Sequence, residues 1–164
     1  MEDLIEVLCR QLSEHEGNRL SVYDDATGKP IEAGTKVQGN PTIGVGRLLT
    51  KDNGISEEES IYLLKNDLKW VAQKSATYDF FDSLDPARQL VILNMVFNMG
   101  SIDHWPKFRA ALEVGDYQEA AKEMMLSNWS NQVGHRAAVL TEQMKTGVVK
   151  CCLLYTSPSP RDYP

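Results

Sequence analysis

Glu16 closes an amphipathic run, and Asp24 and Asp25 follow it within the stretch HEGNRLSVYDDATG. Two nearby carboxylates, one at a helix end and one in a turn, match what hydrolysis of a sugar–sugar bond requires. One must carry a proton for the leaving oxygen, and the other must be ionised to steer water. An inverting reaction leaves room for that water, with carboxyl groups roughly 6.5–9.5 Å apart, whereas a retaining one holds them about 5 Å apart. Spacing alone favours a plainer reading, because a Glu at a helix end and an Asp in a turn are usually solvated surface groups. His15, His104 and His135 are scattered, with no metal-ligand spacing, so no metal is expected.

The elements that must position these residues follow from periodicity. Leu4, Ile5, Leu8, Cys9 and Leu12 recur at helical spacing and predict a first helix from about Asp3 to Glu16, ended by Gly17. Arg19 to Tyr23 alternates as a short strand, DDATG is turn chemistry, and Lys29 to Asn40 reads as an extended hairpin loop. Pro41 to Leu49 predicts a second strand whose Gly44 and Gly46 leave room for another backbone or a ligand. SEEE at Ser56 to Glu59 is a capping-box pattern, and Ile61, Leu64, Leu68 and Val71 form an apolar stripe on a helix reaching about Lys74. Asp85 and Pro86 open a helix that is apolar nearly all round from Leu90 to Met99 and is stopped by Gly100. Shorter helices are expected over Pro106 to Glu113, Tyr117 to Ser127 and about Val133 to Lys145. The pattern is α+β and mostly helical, with a small N-terminal β-hairpin lobe and a helical C-terminal lobe.

The chain has 164 residues, 42% of them apolar, enough for a real core in one domain or two small lobes. With 17 Lys and Arg against 23 Asp and Glu the net charge is −6, which argues against a nucleic-acid partner. The N-terminus MEDLIEVLCRQLSE lacks the basic and continuously apolar regions of a secretory signal, and no apolar stretch is long enough to span a bilayer. A soluble chain made in the cytoplasm, without stable membrane association, is therefore expected. Residues 152–162, CLLYTSPSPRD, match the in-frame translation of a transposon-based sequencing adapter, so 151–164 is read as a non-native tail. On that reading native coding sequence ends near Lys150 or Cys151. Cys9 is then the one cysteine left, so no internal disulfide is expected.

Four segments, HEGNRLSVYDD, PTIGVGRLLT, DSLDPARQLVILNMVFNMG and WSNQVGHRA, resemble in order four segments of the T-even bacteriophage lysozyme family. The resemblance covers most of residues 4 to 147. It implies a lysozyme-like two-lobe fold within 1–150. The N-terminal lobe would cover about 14–56 and a linking helix about 56–74. The helical lobe would cover about 75–150, joined by helix 3–16. It also implies an endolysin, a muramidase that cleaves the β-1,4 bond between N-acetylmuramic acid and N-acetylglucosamine of peptidoglycan, with inversion and no cofactor. Residue by residue, Glu16 falls on the family's general acid, Asp25 on the carboxylate that positions the attacking water, and Thr42 on the threonine that helps hold it. Arg136, in GHRA, falls on the arginine that pairs with the acid. Leu48 and Phe97 match positions lining the substrate groove, although each could be an ordinary core residue. Trp129 is read as core, Trp70 and Trp105 as packing or sugar platforms, and Asn131 and Gln132 are left open. The implied partner is a peptidoglycan glycan strand, the implied state a monomer. The implied route is from host cytoplasm to periplasm through a membrane already permeabilised. A lytic transglycosylase or chitinase-like activity, or a non-catalytic wall-binding module, stays open as an alternative.

The chain departs from the T-even pattern in four ways. The loop between Asp25 and Thr42 is longer, the stretch between Thr50 and Ser56 is shorter, and Arg47 replaces a histidine. Polar groove positions of the helical lobe do not transfer, since Ala111 and Glu123 fall near them. The negative charge is a further contrast with the basic T-even enzyme. Because wall polymers are anionic, association is expected to be slower and less salt-sensitive. Turbidity clearing measured against ionic strength checks this: a shallow dependence is expected, and a steep fall with salt contradicts it.

Overall fold

The computed structural model describes residues 2–50 and 52–149, so the tail assigned to 151–164 lies outside the described residues. The architecture is α+β. Its elements run α1 Glu2–Glu16, β1 Arg19–Asp24, β2 Pro41–Gly44, β3 Arg47–Leu48, α2 Glu57–Ser75, α3 Pro86–Met99, α4 Pro106–Glu113, α5 Tyr117–Leu126, α6 Asn128–Val133 and α7 His135–Thr146. A 3-10 turn, Phe81–Ser83, precedes α3. The chain divides into two units, the first ending at Tyr62 and the second beginning at Leu63.

In the first unit, α1 ends as expected at Gly17, whose φ of 72° suits a residue without Cβ. Its apolar stripe is not covered by its own unit: Leu4, Ile5, Leu8 and Leu12 are all exposed. The sheet is antiparallel in the order β1-β2-β3. Tyr23 pairs with Thr42 and Asp24 with Pro41, and an irregularity separates these from the Arg19–Gly44 pair. The single strand expected over Pro41 to Leu49 is instead two strands, with Thr42 opposite Leu48 and Ile43 opposite Arg47. The reason lies in Gly44 and Gly46, which take φ values of 66° and 69° and reverse the chain between the strands. Open space surrounds both positions, so within the chain it is the turn that requires these glycines. The loop after β1 folds back along it, with Ile31 N–H donating to the Val22 carbonyl at 3.1 Å. Arg19 lies over the Tyr23 ring at 4.3 Å and donates to the Gly28 carbonyl at 2.8 Å.

Among the described residues of this unit the buried side chains are Asp24 and Thr42, so it has no apolar core of its own. A segment this short buries too little apolar area to be organised that way. Hydrogen bonds take the role instead. The capping box forms as its sequence suggests: Ser56 N–H donates to Glu59 Oε2 at 2.7 Å and Glu59 N–H to Ser56 Oγ at 3.2 Å. Arg47 reaches the same Glu59 at 2.9 Å and also donates to the Gly54 carbonyl, clipping the β2–β3 hairpin to the start of α2.

The second unit holds the apolar core. Val91, Ile92, Met95 and Val96 of α3 are fully buried and pack with Phe108, Leu112, Met124, Trp129, Leu140 and Met144 from the later helices. Of the stripe expected on α2, Val71 is buried while Ile61, Leu64 and Leu68 stay exposed. One helix escaped the sequence reading: α6, whose N-cap Ser127 accepts from Ser130 N–H and whose end is set by Gly134. Gly134 also delays the start of α7 to His135. Asp85 caps α3 as expected, accepting from Arg88 N–H at 3.1 Å, and pairs with the Arg88 guanidinium. That guanidinium also donates to the Met144 and Lys145 carbonyls at the end of α7 and lies over the Tyr117 ring at 3.7 Å. One cap thus steadies the start of α3, the end of α7 and the start of α5. Asp85→Ala is expected to cost about 1–2 kcal/mol and lower the melting midpoint by about 3–6 °C. Thermal unfolding followed by circular dichroism checks this.

Candidate active site

Glu16 is the last residue of α1 and its side chain is exposed. Gly17 and Asn18 then lead directly into β1, at whose far end Asp24 and Asp25 stand. The two aspartates differ sharply. Asp24 is only 2% exposed, while Asp25 is exposed.

The Asp24 carboxylate is buried among main-chain donors. Its Oδ1 accepts from Ala26 N–H at 3.0 Å and Gly39 N–H at 3.0 Å, and its Oδ2 accepts from Gln38 N–H at 2.7 Å. The bond to Ala26 is the Asx-turn expected of DDATG; the other two cross the loop. The Gln38 N–H is the largest influence holding the Asp24 carboxyl below its ordinary pKa. Burial opposes it, and the Gly39 and Ala26 donors and the Thr27 side chain add to it. Asp24 is therefore the fixed point on which the long loop closes.

Asp25 is gripped chiefly by one residue. Asn40 N–H donates to Asp25 Oδ1 at 2.7 Å, and Asn40 Nδ2 donates to Asp25 Oδ2 at 3.1 Å. The first of these contacts, then the second, with a lesser part from Ala26 N–H, holds the Asp25 carboxyl below its usual value, against burial and the neighbouring Asp24 charge. Asp25 is thus an ionised acceptor through the neutral range. Thr42, buried on β2, donates its hydroxyl to the Asn40 carbonyl at 3.2 Å. Asp25 and Thr42 are therefore brought together, with Asn40 between them. Leu48 lies half-buried on β3 opposite Thr42.

The residues that organise this corner were missed by sequence reasoning. Gly39 is needed for space: a Cβ there would fall on Asp25 Oδ1 and within 2.7 Å of Ala26 Cβ. The Gly39-Asn40-Pro41 run does signal a turn. It gives no hint of the partner, which lies across the loop and not beside it in the chain.

In the second unit, Phe97 is 45% exposed on α3, so it is not the core residue that its apolar helix also allowed. It lines a cavity of about 340 Å³ with Asp67, Val71 and the exposed Trp70. Arg136 is exposed in the first turn of α7, where a cation gains nothing from the helix dipole. Trp129 is core, as expected; its Nε1 donates to Asn98 Oδ1 at 3.0 Å and its ring meets Trp105 edge-on at 6.2 Å. Gln132 lines a cavity of about 620 Å³ beside Trp105 and Trp129.

A family model described as Phage lysozyme matches residues 13–146. Curated relatives include Probable T4-type lysozyme 2 of Dictyostelium discoideum, 25% identical over 178 residues that cover 90% of this chain and 98% of the relative. Probable T4-type lysozyme 1 of the same organism is 28% identical over 160 residues, 77% of this chain and 92% of the relative. The pre-baseplate central spike protein Gp5 of Enterobacteria phage T4 is 28% identical over 159 residues, which cover 85% of this chain and 28% of that protein.

The Asp24 geometry has a pH consequence. Its pKa is lowered on folding, so its contribution to stability is complete above the ordinary Asp value and is lost as pH falls through the folded value. The melting midpoint is expected to fall on acidification below about pH 4. Asp24→Asn should begin lower at neutral pH and change less across the same interval. Melting curves from pH 6 to pH 2 check this, and parallel curves for the two proteins contradict it.

Proposed function

Since the chain belongs to the phage lysozyme family, and so is a glycoside hydrolase of the lysozyme type acting on peptidoglycan, we propose that it hydrolyses the N-acetylmuramic acid–N-acetylglucosamine β-1,4 bond with inversion. Glu16 is the general acid and Asp25 the carboxylate that orients water. In the reaction the Glu16 proton passes to the leaving oxygen as the glycosidic bond breaks. A water oxygen bonds to the anomeric carbon from the opposite face and loses its proton to Asp25.

The observation that carries this reading is the state of Asp25. It is exposed and held in one orientation by donors that keep its carboxyl below the ordinary value, with a threonine hydroxyl tied to the residue that holds it. That is the equipment for placing a water. A transglycosylase needs no second carboxylate, because the hydroxyl of its own substrate replaces water, so the arrangement favours hydrolysis. Arg136 is assigned support of the acid, and Leu48 and Phe97 contact with the glycan, on the sequence resemblance together with their exposed or half-buried settings. The protein acts as a monomer, without metal or cofactor, on the glycan of the cell wall. It is made in the host cytoplasm and reaches the periplasm once the inner membrane is permeabilised. Among the described residues no helix is long and apolar enough to cross a membrane.

Glu16→Gln tests the assignment of the acid. Clearing of permeabilised Gram-negative cells is expected to fall by at least about 100-fold, because general acid catalysis contributes on that scale. Sedimentation with purified cell walls should be unchanged. Undiminished clearing removes Glu16 from the mechanism.

A further inference from the structure

We propose that Asn40 is the positioning residue of the water site, holding Asp25 and setting Thr42 as a hydrogen-bond acceptor; the inference rests on the assignment of Asp25 above. Four hydrogen bonds converge on this one residue. Its N–H and its amide Nδ2 donate to the two carboxylate oxygens of Asp25, at 2.7 Å and 3.1 Å. Its carbonyl accepts from Asp25 N–H at 3.1 Å and from the Thr42 hydroxyl at 3.2 Å. A carboxylate gripped at both oxygens cannot rotate about its terminal torsion, so its plane and its unused lone pairs have fixed directions.

The Thr42 contact has a consequence for the water. A hydroxyl owns one proton, and Thr42 spends it on the Asn40 carbonyl. Its oxygen can therefore otherwise only accept. Asp25, being ionised, also only accepts. A water bound by both must donate one proton to each, and the lone pairs of its oxygen are then free for the anomeric carbon. Were the Thr42 hydroxyl free to turn, it could donate to the water and occupy a lone pair that the reaction needs. Asn40 thus acts on the nucleophile without touching substrate.

Asn40 suits this task because its own backbone is held independently. The preceding N–H groups of Gln38 and Gly39 are both bound by the buried Asp24 carboxylate. Gly39 has no space for a side chain, so the segment has one close-packed path past Asp25. Removing the exposed Asn40 side chain therefore takes away Nδ2 alone, leaving the main-chain N–H and carbonyl in place.

The experiment compares the wild type with Asn40→Ala, Asn40→Asp and Asp25→Asn on a soluble chitooligosaccharide or muropeptide substrate. The readouts are kcat, KM, the pH profile and a 13C-carboxyl NMR titration of Asp25. Losing the amide donor destabilises the ionised form of Asp25, so in Asn40→Ala the acidic limb and the titration both move up in pH. There kcat should fall about tenfold, the scale of one hydrogen bond to a charged group, while KM stays within about twofold. Asn40→Asp sets a second anion beside Asp25 and should move both further in the same direction. An Asn40→Ala enzyme with wild-type kcat and an unmoved Asp25 titration overturns the inference, even where Asp25→Asn is inactive and the parent reading stands. Loss of activity that accompanies a collapsed melting midpoint, with Asp25 titrating as in the wild type, marks Asn40 as scaffold and overturns it too. Full hydrolysis by Asp25→Asn removes the parent reading and the inference together.

Discussion

The buried carboxylate of Asp24 is the constraint on which the first unit depends. That unit lacks an apolar core among its described residues, so packing cannot choose the path of its long loop. A charge placed in that setting must be satisfied or it opens the structure. Three main-chain N–H groups satisfy it, and two of them belong to the segment that returns to β2. The loop closes because the carboxylate requires donors and the chain can supply them only by folding over it.

The geometry of the candidate site follows from that closure. Once Gln38 and Gly39 are pinned, Asn40 stands beside Asp25 and one residue before the start of β2. Its two donors face the exposed carboxylate and its carbonyl faces the Thr42 hydroxyl. Two neighbouring aspartates thereby take opposite roles. One is consumed by the backbone and serves as an anchor. The other is held at two points, keeps its charge and stays open to solvent. The difference comes from how many donors each meets, since their side chains are identical.

The second unit is organised on different physics. Its core is apolar and contiguous, with α3 at its centre, and its polar contacts sit at helix ends where unpaired backbone groups need partners. Arg88 illustrates this: it answers the Asp85 cap on one side and the last carbonyls of α7 on the other. The family membership of the chain spans both kinds of construction, as the match to residues 13–146 covers most of each unit.

Local chemistry was readable from the amino-acid sequence. Helical periodicity, the Ser56–Glu59 box, the Asp85-Pro86 start and the Gly17 and Gly100 stops each depend on residues within about a turn of one another. The α+β class and the lysozyme family resemblance were legible in the same way, through the order of short segments. The tertiary structure alone decided that Pro41 to Leu49 turns back on itself, because alternation suits one strand or two and only the positive φ of two glycines separates them. It alone distinguished Asp24 from Asp25, and it alone brought Asn40 and Gly39 into the site. Those contacts join residues far apart in the chain, and no local pattern encodes which main-chain donors a distant carboxylate will meet.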